Sequence, residues 1–174
     1  KTFHKEPSAQ SKDESLESLM EMINTGVSLV TFMGHSAQFR LDFNLLNSSA
    51  YANKGKYHTF MAMGCYAGQI FETQQSISEE YNLIPDKGSI VYLSNSTAGI
   101  PYVLSVYGSE LYRAMGGSYY GKSIGDAIRA TNNIILNEND EFIKTQAMSF
   151  TYNGDPAIRM NVLKGQDVMA VHDS

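Results

Sequence analysis

Three stretches of the chain are rich in β-branched, aromatic and methionine side chains and show no in–out alternation: "GVSLVTFMG" (26–34), "YHTFMAMG" (57–64) and "GSIVYLSNS" (88–96). Each has the length of a strand and touches a glycine at one end or both. A strand that is apolar on both faces needs cover on both faces, and a mostly parallel sheet between helices supplies it. The intervening segments carry the matching helical signals. "SKDESLESLMEMINTG" sets Ser11 three residues before Glu14, a capping pattern, then spaces Leu16, Leu19, Met20 and Ile23 helically before stopping at Asn24 and Gly26. "TQQSISEEYNLIP" repeats the pattern with Ser76 and Glu79 and closes before Pro85. "PYVLSVYGSELYRAM" takes Pro101 in a first turn, and "SIGDAIRATNNIIL" puts Ile124, Ala127, Ile128, Thr131 and Ile135 on one face. Residues 35–56 read as a loop with one helical turn, and "NGDPAIRMNVL" (153–163) reads as a tight turn followed by a last strand.

With 174 residues, these elements make one α/β domain. Its expected extent is 26–163, with a polar segment and helix before it (1–25) and the start of a following segment after it (164–174). The first residues are polar and lack an initiator methionine, which suggests a piece of a longer precursor. No apolar run approaches the roughly 20 residues of a membrane helix. A net charge of −5 with no basic stripe argues against a nucleic-acid partner. The single cysteine excludes an internal disulfide and a multi-thiolate zinc site.

That cysteine, Cys65 in "AMGCYAGQ", lies just past the second strand, and His35 in "FMGHS" lies just past the first. In open α/β sheets ligands bind outside the carboxyl ends of the strands. If the two strands are parallel neighbours, thiol and imidazole share one rim and form a Cys–His dyad. The imidazole takes the thiol proton, the thiolate attacks a carbonyl, and the proton passes to the leaving amine. Gly34 and Gly64 would then let the chain turn sharply out of each strand, and Gly68 would let the backbone pass close to a ligand. Backbone N–H groups freed by such turns could stabilise an oxyanion. The plainer alternatives are a small buried hydrophobe for Cys65 and an ordinary loop residue for His35.

"GGSYYGKS" (116–123) fits the phosphate-loop pattern, which cradles phosphates only between a buried strand and a helix. The segment before it has helical period, so Gly116 and Gly117 read as a helix stop and Ser123 as the next cap. "NENDEF" (137–142) lacks calcium-loop spacing and reads as a solvated turn. "NSS" (47–49) and "NST" (95–97) match the glycosylation pattern, and His4, His58 and His172 have no partner of note.

"VTFMGHS", "MAMGCYAGQIF", "SISEEYNLIPDKGSIVYLSNSTAG" and "YNGDPAIRM", in this order, resemble the gingipain family of cysteine peptidases in the caspase-like clan, most of all its type IX secretion sortase branch. The resemblance runs from about Gly26 to Met160. It implies a caspase-like three-layer sandwich, a mostly parallel sheet covered by helices and lacking the family's N-terminal strands. It also implies His35 as catalytic histidine and Cys65 as nucleophile. The backbones of Ser36 and Cys65 would form the oxyanion hole, and Ser94, Asn95 and Ser96 would line the substrate pocket. Peptide or protein substrates, secretion-system or envelope partners and an extracytoplasmic location follow from the same resemblance. No metal or organic cofactor is called for. Typical members carry glycine where this chain has Ser36; a φ > 0 there would cost serine about 1 kcal/mol. The family's acidic residue that orients the histidine lies upstream of this segment. Peptidase or transpeptidase is thus the leading expectation, followed by a catalytically silent binding module and a nucleotide-binding protein that uses Lys122.

Overall fold

The structure is a computed structural model and describes residues 9–42, 48–72 and 74–160, with side chains from residue 16 onward. In chain order it contains α1 (Ala9–Thr25), β1 (Leu29–Met33), β2 (Ser36–Ala37), β3 (Arg40–Leu41) and a short 3-10 turn (Ser48–Ala50). Then follow β4 (His58–Met63), α2 (Ile77–Leu83), β5 (Ser89–Asn95), α3 (Pro101–Gly116), α4 (Ile124–Ile135), α5 (Glu141–Met148) and β6 (Phe150–Gly154). The main sheet has the order β1-β4-β5-β6. β1, β4 and β5 are parallel, while β6 runs antiparallel on the edge of β5.

The runs without alternation are covered on both faces, as their composition requires. Phe60, Ala62 and Tyr92 look toward Met20 and Ile23 of α1 and Ile77 and Tyr81 of α2. Met61, Met63, Val91 and Leu93 look the other way, into Leu104, Tyr107 and Leu111 of α3, Ile124 and Ala127 of α4, and Ile143 of α5. The result is a three-layer α/β sandwich. Burying a large apolar side chain such as Phe60 completely is worth roughly 1.5–3 kcal/mol, so the two clusters fix the strand order that the site depends on.

Local signals set the helix ends. Ser76 N–H donates to the Glu79 carboxylate at 2.8 Å while Glu79 N–H donates back to Ser76 Oγ, a complete capping box. Gly26, at φ +115°, ends α1, and Gly117 follows α3. The Ser11–Glu14 pattern falls among side chains outside those described.

Three expectations are corrected. Among the described residues the last strand, β6, precedes the Gly-Asp-Pro turn instead of following it, and beyond the turn only Arg159 bridges, to Ser123; residues 161–163 of the expected strand lie outside the described residues. "NENDEF" is not a bare turn, because Asp140 caps α5 by accepting from Phe142 N at 2.8 Å. Residues 36–41 pair as the β2–β3 hairpin rather than forming an open loop. Among the described residues no helix is long and apolar enough to cross a membrane.

Candidate active site

β1 and β4 are adjacent and parallel, with Met33 opposite Met63. Gly34 N–H continues the ladder, donating to Met63 O at 3.3 Å. His35 and Cys65 therefore each stand two residues beyond a paired position, on strands that run about 4.8 Å apart. The next contact joins the two loops directly: Ser36 Oγ donates to the carbonyl of Cys65 at 2.8 Å. The His35 ring is exposed and Cys65 half-buried, so both are open to the rim. Among the described residues the Cys65 sulfur has its hydrogen bonds with Gly99: Gly99 N–H donates to Sγ at 3.3 Å, and Gly99 O lies 3.8 Å away. No described residue hydrogen-bonds the His35 ring, so nothing described here acts as its orienting acid.

The glycines and Ser36 work differently from expectation. The sharp turn after β4 is made at Tyr66, which is held at φ 57°; Gly34, Gly64 and Gly68 do not have positive φ. Tyr66 N–H is fixed by Thr97 O at 2.8 Å and Gly68 N–H by Asn95 O at 2.9 Å, which lashes the cysteine loop to the end of β5. Gly64 is required by proximity: a Cβ there would overlap Ser36 Oγ and come 2.7 Å from Gly34 O. Gly68 is buried, and its Cβ would meet Ser94 O at 2.7 Å, so this glycine makes room for β5 and not for a ligand. Ser36 is an extended residue of β2 without positive φ, and the expected strain is absent. Its hydroxyl fills the space Gly64 leaves. Gly64→Ala is expected to lower stability by about 1–3 kcal/mol. Combining it with Ser36→Gly should recover part of that loss, the clash with Gly34 O remaining; urea midpoints of the two single variants and the double variant measure the coupling.

The pocket residues also need correction. Ser94, Asn95 and Ser96 are buried; the side chains of Asn95 and Ser96 brace the protein from within, while Ser94 Oγ has no hydrogen-bond partner among the described residues. Asn95 Nδ2 donates to Thr97 O at 2.6 Å, and Asn95 Oδ1 accepts from Gln146 Nε2 at 2.8 Å and from Ser149 Oγ. Ser96 Oγ donates to Ser149 O at 2.7 Å. Gln146 completes the set by accepting from Ile100 N–H at 3.1 Å. Gly99 closes the quoted stretch that ends in "NSTAG" but carries no side chain to mark a role, and Gln146 escaped sequence reading because it neighbours no motif; its sole trace is a glutamine on the buried side of α5 beside Ile143 and Ala147.

The competing motifs lose their chemistry in the fold. Before "GGSYYGKS" comes α3, not a strand, and the first amides of α4 are already occupied: Ile124 N–H donates to Ile158 O, Gly125 N–H to Pro156 O, and Asp126 N–H to Ser123 Oγ. A phosphate would find no free cradle there. Asn95 of "NST" is buried and fully engaged, so it is not a glycan acceptor; Asn47 of "NSS" lies outside the described residues. Among the described residues no cluster of metal-ligating side chains occurs.

A family model described as peptidase family C25 matches residues 1–161 of the 174. The chain belongs to peptidase family C25. No curated protein matches it significantly. Solved structures agree with the fold of a C25 peptidase. The crystal structure of the Arg-specific cysteine proteinase gingipain R (RgpB) superposes with a TM-score of 0.74 at 13% identity over 84% of this chain and 36% of that one. The complex of Porphyromonas gingivalis RgpB pro- and mature domains gives 0.74 at 11% identity, covering 85% and 37%. A structure described as a protease gives 0.70 at 18% identity, covering 90% and 38%. The caspase-like architecture of gingipains is thus shared, while the chain spans under two-fifths of the length of these solved proteins.

Proposed function

We propose that this C25 domain cleaves peptide bonds with Cys65 as nucleophile and His35 as proton carrier. The observation that supports the reading is the in-register adjacency of β1 and β4, from whose ends the His35 and Cys65 loops leave side by side, joined by the Ser36–Cys65 hydrogen bond. In the acylation step the Cys65 proton passes to the imidazole, an S–C bond forms, the C–N bond breaks, and the imidazolium proton leaves with the amine. Water then gives a proton to His35 while its oxygen attacks the thioester, and the C–S bond breaks. Attack by an amine in place of water gives a new amide, the transpeptidase outcome of a sortase-like enzyme. Both steps pass through an oxyanion, for which Ser36 and Cys65 N–H are the candidate donors. In the β2–β3 ladder Asp42 N–H donates to His35 O, so Ser36 and Leu41 form the pair that exchanges no backbone bonds, and Ser36 N–H is left on the outer edge of the hairpin.

An extracytoplasmic setting with envelope partners is the companion proposal, drawn from the gingipain likeness. A silent binding module is the second reading, and the specific observation in its favour is the His35 ring without an orienting partner among the described residues. A peptidyl chloromethyl ketone series separates the two. Modification of Cys65 that depends on peptide sequence and vanishes in Cys65→Ser supports the enzyme. Modification no faster than by iodoacetamide, for every peptide tried, sinks it and leaves the module.

A further inference from the structure

The sulfur of Cys65 is met by a donor that belongs to neither of the two dyad loops. Gly99 N–H points at Sγ from 3.3 Å, and Gly99 sits in the connection between β5 and α3. A backbone N–H aimed at a sulfur supports its anionic, nucleophilic form without adding a titrating group. The connection around it is exposed at Thr97, Ala98 and Ile100, so a bare loop would leave the donor poorly placed. Below it, however, lies a buried polar cluster with no other visible purpose. Gln146 Oε1 accepts from Ile100 N–H at 3.1 Å, the residue directly after Gly99. Gln146 Nε2 donates to Asn95 Oδ1 and Ser149 Oγ, each at 2.8 Å. Asn95 in turn holds Thr97 O at 2.6 Å, two residues before Gly99. The loop is thus gripped on both sides of Gly99 by one buried glutamine–asparagine pair.

The seat at Gly99 is close, and a side chain there would press on Leu104. A Cβ at residue 99 would come 2.5 Å from Leu104 Cδ1 and 3.4 Å from Asn95 Nδ2. Removing either the grip or the close seat would lift the N–H away from the sulfur.

Resting on the reading of Cys65 as nucleophile, we infer that Gln146 and Asn95 are positioning residues for that nucleophile, acting through the Gly99 peptide, which supplies a third backbone donor at the site. Gln146 is on α5 and 81 residues from Cys65 in sequence, yet it sets how the sulfur is held. The arrangement separates two tasks. Ser36 fixes the spacing of the histidine and cysteine loops, whereas Gln146 fixes the donor facing the sulfur.

The test compares wild type, Gln146→Leu and Gly99→Ala. Gln146→Leu removes the grip at similar size; Gly99→Ala keeps every Gln146 bond and disturbs only the seat. Second-order alkylation of Cys65 by iodoacetamide is measured at pH 7 in the folded protein and again in urea, where the unfolded chain supplies the intrinsic thiol rate. A peptidyl chloromethyl ketone is run in parallel, and cooperative thermal unfolding identifies folded variants. Both variants are expected to lose roughly tenfold in the folded-state rates while their rates in urea match wild type, the size of one hydrogen bond to a charged group. A purely structural role for Gln146 would lower the melting temperature and leave the folded-state rates alone. A folded variant of either kind that labels at the wild-type rate overturns the inference. If Gln146→Leu does not fold, Gly99→Ala decides alone. Should wild type show no preference for any peptidyl reagent, the peptidase reading fails, and the folded-to-urea ratio with iodoacetamide still decides whether Gln146 positions the sulfur.

Discussion

Stability is expected to fall by about 3 kcal/mol as the pH drops from 6.5 to 4, through His58 alone. This histidine opens β4 at the end of the sheet away from the candidate site. It is fully buried, and neither ring nitrogen has a partner among the described residues. Its neighbours are aromatic: the Tyr51 and Phe60 ring centroids lie 6.1 and 5.9 Å away. Burial pushes its pKa from 6.5 down to about 4. The sign follows from proton counting. Between pH 4 and 6.5 the unfolded chain binds the proton and the folded chain refuses it, so the unfolded state gains as pH falls. The stability that neutral His58 permits is complete above pH 6.5 and lost progressively toward pH 4. Carboxylates titrate over part of the same range, and the comparison with His58→Leu removes them. Urea unfolding at steps between pH 4 and 7.5 should give a wild-type curve steeper than the variant's by about 3 kcal/mol over the window. Parallel curves would mean that the ring finds a proton acceptor or water in the native state.

The same residue illustrates what the sequence does and does not carry. His58 lies in an apolar run, and reading it as a histidine without a partner was correct because the run itself forces burial. The three parallel strands, the caps at Ser76 and Ser123 and the adjacency of β1 and β4 were legible for one reason: each is fixed by a pattern within about a dozen residues plus one rule of sheet topology. The failures concern polar residues inside the protein. Ser94, Asn95 and Ser96 read as pocket-lining because polar side chains after a strand are ordinarily wet, yet all three are buried, and Asn95 and Ser96 are hydrogen-bonded to Gln146 and Ser149. α5 was itself invisible, since an eight-residue helix opening on "NDE" carries the composition of a turn until Asp140 is seen as its cap. The β2–β3 hairpin has two residues per strand and no glycine or asparagine in its turn, so no short-range signal announces it. Ser36 was misjudged for a related reason. Substituting serine for glycine looks costly in isolation, and only the facing Gly64 shows that the hydroxyl has a place.

Replacing His35 with alanine is expected to lower peptide hydrolysis by about 10²–10⁴-fold in kcat/KM, the range for a removed general acid–base. The structure sharpens how the loss should distribute. His35 is exposed and its ring makes no hydrogen bond to a described residue, so stability should stay within about 0.5 kcal/mol of wild type on its removal. The Gly99 donor remains on Sγ in the variant, so the sulfur keeps one support for its anion. Hydrolysis and alkylation should therefore separate: alkylation by iodoacetamide needs no proton for a leaving amine and should fall far less than peptide cleavage. An activated thioester or nitrophenyl ester substrate, whose leaving group departs without protonation, should sit between the two. Raising the pH ought to narrow the gap for the ester and not for the peptide, because hydroxide can generate thiolate but cannot protonate the amine. Equal losses for peptide, ester and alkylation would show that His35 only holds the loop. An undiminished peptide rate would remove it from the chemistry and leave Cys65 without its proton carrier.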